Sequence, residues 1–250
     1  MTLPGTKVID FSKIRVTCSS CNLQELCLPR GLTMEDLEQL ESLVKRSHPL
    51  QAGDFLFRAG DPLHNIYAIR SGSVKLFLVD KNGVEQILGF YFPGEILGLD
   101  AIDTRKHVCT AVALETSSYC AFPFAHLADV CSRISELQNQ MFRLMSRELT
   151  YENELLLTIG KKNAEERLAT FLLTLSSRFH RLGYSSKEFK LAMSRQEIAN
   201  YLGLTIETVS RILSRFQKEQ IIDVARKQIY IKNSELLQKI SSGCNSNHKI

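Results

Sequence analysis

Apolar positions change their spacing along the chain, and each spacing predicts a different element. From about Gln51 to Pro123 they come in short runs such as Phe55-Leu56-Phe57, Ile66-Tyr67-Ala68-Ile69, Val74–Val79 and Val108–Leu114. Gly53, Gly60, Gly72, Gly83, Gly89, Gly94 and Gly98 punctuate these runs, the pattern of a many-stranded β roll or barrel. Lys81-Asn82-Gly83 lies between two runs and predicts a hairpin turn. From about Cys131 to Ile159 neither Gly nor Pro interrupts the chain. Here Ile134, Leu137, Met141, Leu144, Glu148, Tyr151 and Leu155 follow a three-four spacing, close to a coiled-coil seam. Met145, Leu149, Glu152, Leu156 and Ile159 form a neighbouring stripe. An apolar surface this wide can pack on the roll on one side and meet a second copy on the other, so the pattern predicts a homodimer. Glu148 and Glu152 interrupt it. Carboxylates on such a seam repel their symmetry mates and cost desolvation, which would hold the dimer near balance and make it switchable.

Beyond Gly160 the spacing predicts helices near Ala164–Phe179, Ser194–Leu202 and Thr205–Gln217, then a hairpin over Ile221–Ile231. Ser194-Arg195-Gln196-Glu197 is a capping-box pattern. Gly203 ends that helix and Thr205 can cap the next. Two short helices about a glycine turn, with Ile198, Ala199, Leu202, Leu204, Val209, Ile212 and Leu213 able to face inward, match a helix-turn-helix. Glu207, Ser210, Arg211 and Ser214 then share the outer face of the second helix, near the end that enters a major groove. Arg211 can donate to guanine O6 and N7, Glu207 can accept from cytosine N4, and Ser210 can reach a base or phosphate. Lys218, Arg226, Lys227 and Lys232 are candidates for phosphate contacts.

Charge agrees with this division. Of 250 residues, 1–159 carry 15 Lys and Arg against 19 Asp and Glu, a balance of −4, whereas 160–250 carry 16 against 8, a balance of +8. The basic second part suits a polyanion. The longest stretch without Asp, Glu, Lys or Arg runs from Thr116 to Ala128, far short of the roughly 20 residues a membrane span needs. Met1–Val16 lacks the apolar block of a secretory signal, so the expectation is a cytoplasmic protein with no membrane partner. No Walker loop, His-Glu-x-x-His, nucleophile elbow or dinucleotide fingerprint occurs, which argues against an enzyme.

Seven cysteines in a reducing compartment point away from a disulfide framework. Cys18-x2-Cys21-x5-Cys27 gathers three thiols in a segment with little apolar periodicity, which reads as a loop that needs a ligand in order to pack. Three soft ligands ask for a fourth. Cys244 sits in a polar tail, and spacing does not choose among Cys109, Cys120 and Cys131. Four thiolates fit zinc or an iron-sulfur cluster, and the five-residue gap favours the cluster.

Cys18-x2-Cys21-x5-Cys27, Ile66-Tyr67-Ala68-Ile69-Arg70-Ser71-Gly72, Lys161-Lys162-Asn163-Ala164-Glu165-Glu166-Arg167-Leu168 and Tyr201-Leu202-Gly203-Leu204-Thr205 together resemble the fumarate and nitrate reduction regulators, oxygen-responsive members of the cyclic AMP receptor protein superfamily. The resemblance spans nearly the whole chain. It implies an α+β fold with a cysteine segment (1–30), a β roll (31–130), a dimerisation helix (131–160) and a winged helix-turn-helix (161–250). It further implies a [4Fe-4S] cluster with Cys120 as fourth ligand, and a reading triad at Glu207, Ser210 and Arg211. The family's acidic residue on the dimer helix falls at Glu152. Ser71–Ser73 and Val79–Glu85 fall on loops that meet RNA polymerase. Relatives that bind cyclic nucleotide use an Arg-Ser or Arg-Thr pair where this chain has His107-Val108-Cys109-Thr110, so no cyclic AMP ligand is expected. The function implied is oxygen-dependent control of transcription, as activator or repressor. A zinc-stapled regulator that ignores oxygen is the alternative.

Overall fold

The computed structural model describes residues 17–46 and 48–243; the readings of residues 1–16 and of Cys244 fall outside them. A short helix, α1 (Met34–Leu43), is capped by Thr33 and precedes the roll. The roll is two four-stranded antiparallel sheets. One has the order β1 (Lys45–Arg46), β8 (Ser118–Pro123), β3 (Asn65–Ser71), β6 (Ile96–Leu97); the other β2 (Phe55–Phe57), β7 (Thr110–Ala113), β4 (Val74–Val79), β5 (Glu85–Tyr91). Asp80 closes the β4–β5 hairpin: its backbone N–H donates to the Val84 carbonyl and its carboxylate accepts from Asn82 and Val84. Gly72 turns β3 into β4 at φ +79°, where a Cβ would lie 2.5 Å from the Thr116 carbonyl oxygen. No other residue fits that corner.

The expected long helix is present but begins at Ser135 instead of about Cys131. α2 (Phe124–Arg133) stops at Ile134, whose backbone is extended (φ −109°, ψ 98°), and α3 runs from Ser135 to Lys161. Ile134 carries no intrinsic helix-breaking signal, but its side chain is buried with Leu127, Val130 and Leu137. Packing, not propensity, sets the break. The two stripes of α3 also separate. Leu137 and Leu144 are buried, with Met141, Glu148, Tyr151 and Leu155 partly so, while Phe142, Leu149 and Leu156 are at least 60% exposed at seven-residue spacing.

The C-terminal half is α4 (Ala164–Arg181), β9 (Glu188–Lys190), α5 (Arg195–Leu202), α6 (Ile206–Lys218), β10 (Ile222–Ala225), β11 (Gln228–Ile231) and α7 (Ser234–Ser241). The expected hairpin is β10–β11, extended by β9 into a three-stranded wing. One core joins the halves: Phe77, Ile87, Phe90 and Phe92 of the roll pack with Leu168, Phe171, Leu172 and Ile198. Burying this much apolar surface dominates the stability of the joint.

Candidate metal centre and nucleic-acid interface

Residues 17–32 form a string of tight turns, with N–H to C=O bonds from Cys21 to Cys18 (3.3 Å), Gln24 to Cys21 (3.1 Å) and Cys27 to Leu23 (3.0 Å). The sequence suggested a segment unable to pack by itself. It is packed: Leu23, Leu28 and Leu32 are buried at an irregular spacing that periodicity does not detect. The Cys18 N–H donates to Glu41 of α1 (3.2 Å), and Gln140 Nε2 of α3 donates to the Cys27 carbonyl (3.0 Å).

Cys18 lies in one apolar core with Leu28, Ala68 and Phe122, and Cys27 and Cys120 pack against it. Burial pushes the Cys27 thiol up to about 12, and the thiols of Cys120, Cys18 and Cys21 are close enough to push it further in the same direction. On β8, Cys120 stands opposite Ala68 of β3. Cys109 lies in the other roll core, with Phe57, Ile69 and Tyr91. Cys131, in α2, packs against the same core as Cys27 and Cys120, and burial raises its thiol. Among the described residues, no three His, Cys, Asp or Glu side chains are disposed around a single metal ion. Four thiols are a donor set that fits an iron-sulfur cluster as well as zinc.

His107, in the stretch His107-Val108-Cys109-Thr110, turns into the roll. His107 is 3% exposed and stacks on Phe57 at 3.8 Å. Its Nδ1 lies 3.2 Å from Asp100, which also accepts from the Val108 and Cys109 N–H groups. Burial would raise the Asp100 carboxyl, but these hydrogen bonds outweigh it and hold the group below its usual range.

The reading helix is built locally, as the sequence suggested. Ser194 and Glu197 form a reciprocal capping box, Gly203 ends α5 in the left-handed region (φ +63°), and the Thr205 side chain caps α6. Val209, Ile212, Leu213 and Phe216 face inward, while Glu207, Arg211 and Ser214 are exposed and Ser210 is partly so. Among the described residues neither Glu207 nor Arg211 enters an ion pair, so both remain available to base edges. Of the phosphate candidates, Lys218 and Arg226 are exposed, Arg226 at the wing tip with φ +58°. Lys227 instead donates to the Ala192 carbonyl (2.7 Å), and Lys232 pairs with Asp223 (3.3 Å).

Glu148 is a correction. It was expected on the dimer seam with Glu152, but it accepts a short hydrogen bond from Tyr91 of its own roll. Burial, with Glu95 and Glu152 nearby, raises its carboxyl. Glu152 lies on the exposed face of α3.

Sequence reasoning also passed over two joints. Arg167 donates to the carbonyls of Ile159 (2.7 Å), Lys162 (2.9 Å) and Leu202 (3.0 Å), tying the end of α3 to the helix-turn-helix. Asn200 of α5 accepts from the Ile87 N–H and donates to the Glu85 carbonyl, both at 2.7 Å, fixing α5 to β5. Arg167 stood in a motif that carried the resemblance, but its four carbonyl partners, Gly203 (3.4 Å) among them, become visible only in three dimensions.

Comparison with known proteins agrees with this geometry. Residues 47–134 match the cyclic nucleotide-binding domain, and residues 166–240 the Crp-like helix-turn-helix domain. The chain is 46% identical over 226 residues to the transcriptional activator protein anr of Pseudomonas aeruginosa, covering 90% of this chain and 93% of that protein. It is 44% identical over 238 residues to the fumarate and nitrate reduction regulatory protein of Vibrio cholerae, covering 95% of each. The solved structure of FixK2 from Bradyrhizobium japonicum superposes with a TM-score of 0.72 at 27% identity, over 79% of this chain and 96% of that one. The chain thus belongs to the fumarate and nitrate reduction regulators, DNA-binding transcription regulators that join a cyclic nucleotide-binding roll to a Crp-like helix-turn-helix.

Proposed function

We propose that this regulator senses oxygen through a [4Fe-4S] cluster held by Cys18, Cys21, Cys27 and Cys120, and binds two-fold symmetric DNA as a homodimer while the cluster is intact. The carrying observation is that Cys18, Cys27 and Cys120 gather on one apolar core with Leu137 and Leu144 of α3, the helix that bears the exposed seam. When bound, the cluster supplies an oxygen-labile centre. The chain's part is to give up thiol protons, fix residues 17–32 against β8 and α1, and press that loop on the inner face of α3. Phe142, Leu149 and Leu156 then bury against a second copy, opposed by Glu152. Once the thiolate bonds are lost, the loop relaxes and repulsion at Glu152 favours monomers, which engage half a site and release it.

Glu207, Ser210 and Arg211 read bases while Lys218 and Arg226 hold phosphates. Ser71 and the β4–β5 hairpin, where Val79 and Val84 are exposed, face RNA polymerase for activation or repression, whereas Ser73 is buried in the roll. The stretch around His107, which lacks the Arg-Ser or Arg-Thr pair, takes no cyclic AMP. No helix among the described residues is long and apolar enough to cross a membrane, in keeping with work in the cytoplasm. A structural zinc on the same four thiols is the alternative reading.

The test is DNA binding by single Cys→Ser variants prepared without oxygen. Variants at positions 18, 21, 27 and 120 lose iron and site-specific binding together, and those at 109 and 131 keep both. Specific binding by an iron-free Cys27→Ser protein overturns the reading.

A further inference from the structure

Gln140 is fully buried on the inner face of α3, one helical turn from both Leu137 and Leu144. Its Nε2 donates to the Cys27 carbonyl at 3.0 Å, a shorter bond than the 3.3 Å one which that carbonyl accepts from the Arg30 N–H. Its Oε1, buried as well, has no hydrogen-bond partner. An unsatisfied buried acceptor is destabilising, so Leu or Met would serve packing at this position better than an amide. What the amide adds is direction. Leu28 and Leu32 also pack beside Ile134 and Leu137, but apolar contacts tolerate sliding, whereas a hydrogen bond fixes the position and angle of both partners. Cys27 packs against the core that holds Cys18 and on which Cys120 also packs, and Phe142, Leu149 and Leu156 lie on the opposite face of α3.

We propose that Gln140 is the positioning residue that transmits the state of the cysteine loop to the dimer seam, by tying the Cys27 carbonyl to α3. The inference rests on the cluster reading above. It requires that cluster occupancy change the dimer dissociation constant by some factor, and that Gln140 carry part of that factor. The experiment compares wild type, Gln140→Leu and Gln140→Met, each reconstituted without oxygen and each also stripped of cluster. Iron and sulfide content and the monomer–dimer dissociation constant by sedimentation equilibrium are measured for every form.

The expected result is wild-type iron and sulfide in both variants, with the ratio of cluster-free to cluster-bound dissociation constants reduced about three- to tenfold, the range of one net hydrogen bond. A merely structural role would lower the melting temperature of both forms and leave the ratio unchanged. An unchanged ratio at full cluster content overturns the inference. So does loss of the cluster from both variants, which would assign Gln140 to retention. If wild type itself holds no iron and sulfide, the cluster reading fails instead, and the two failures are told apart in the control.

Discussion

Replacing Arg178 with Met tests how the roll holds the DNA-binding half. The guanidinium of Arg178 on α4 and the carboxylate of Glu95, just after β5, are each only 13% exposed. They are joined by two hydrogen bonds, Nε to Oε1 at 2.9 Å and Nη2 to Oε2. Burial opposes the guanidinium charge, but Glu95 outweighs it and holds the group above its usual range. Arg178 also lies 4.9 Å over the Phe92 ring and 5.3 Å over that of Tyr151. Met keeps much of the aliphatic packing, so the cost is that of stranding Glu95. Its other partners are the Phe92 N–H at 2.9 Å and Arg181 at 3.8 Å. Breaking a buried pair from one side costs about 3–5 kcal/mol, and with those two partners left the lower end, about 3 kcal/mol, is expected. Adding Glu95→Gln removes the stranded charge and should recover about 1–2 kcal/mol, a coupling that a double-mutant cycle isolates. Urea unfolding of the four proteins, followed by circular dichroism without oxygen, gives the cycle. Single-variant costs that add within about 0.5 kcal/mol would show that the two groups are not coupled, and the reasoning would fail.

Arg211→Ala should weaken binding to the specific site by about 1–3 kcal/mol and relax one base position; equal losses on specific and random duplexes in a titration would exclude base reading. Leu156→Glu, at a side chain 69% exposed in the monomer, should leave the melting temperature nearly unchanged yet hold the cluster-bound protein as a monomer in sedimentation. A dimer of unchanged affinity would remove α3 from the interface. Glu148 has a raised carboxyl, so the folded chain binds that proton more tightly than the unfolded one. Its contribution is greatest at low pH and falls as pH rises from the ordinary value of 4.5. Glu148→Gln, which can still accept from Tyr91, should flatten that part of the stability profile, and identical slopes in urea midpoints across this window would contradict the assignment.

What the sequence disclosed divides by range. The helix-turn-helix was legible because Ser194, Gly203 and Thr205 act within one turn of the chain, and because a helical period alone places Glu207, Ser210 and Arg211 on one face. The roles of the two stripes of α3 were not legible, since both are apolar at similar spacing. Which one turns inward is decided by partners such as Tyr91, 57 residues from Glu148. The break at Ile134 is likewise a packing effect with no local signal. Strand register separates the two strand cysteines, with Cys120 opposite Ala68 and Cys109 in the other core. Only the resemblance pointed to Cys120 beforehand. Gln140 looked like any polar helix residue, and its meaning lies in a bond to a carbonyl 113 residues away.

The most direct test of the central claim is a visible absorption spectrum of protein purified without oxygen, with iron and acid-labile sulfide measured on the same sample before and after exposure to air. The account predicts a brown protein with about four iron and four sulfide per chain, and loss of that absorption in air together with loss of the dimer. A colourless protein carrying zinc, dimeric and bound to DNA in air as without it, would contradict the account.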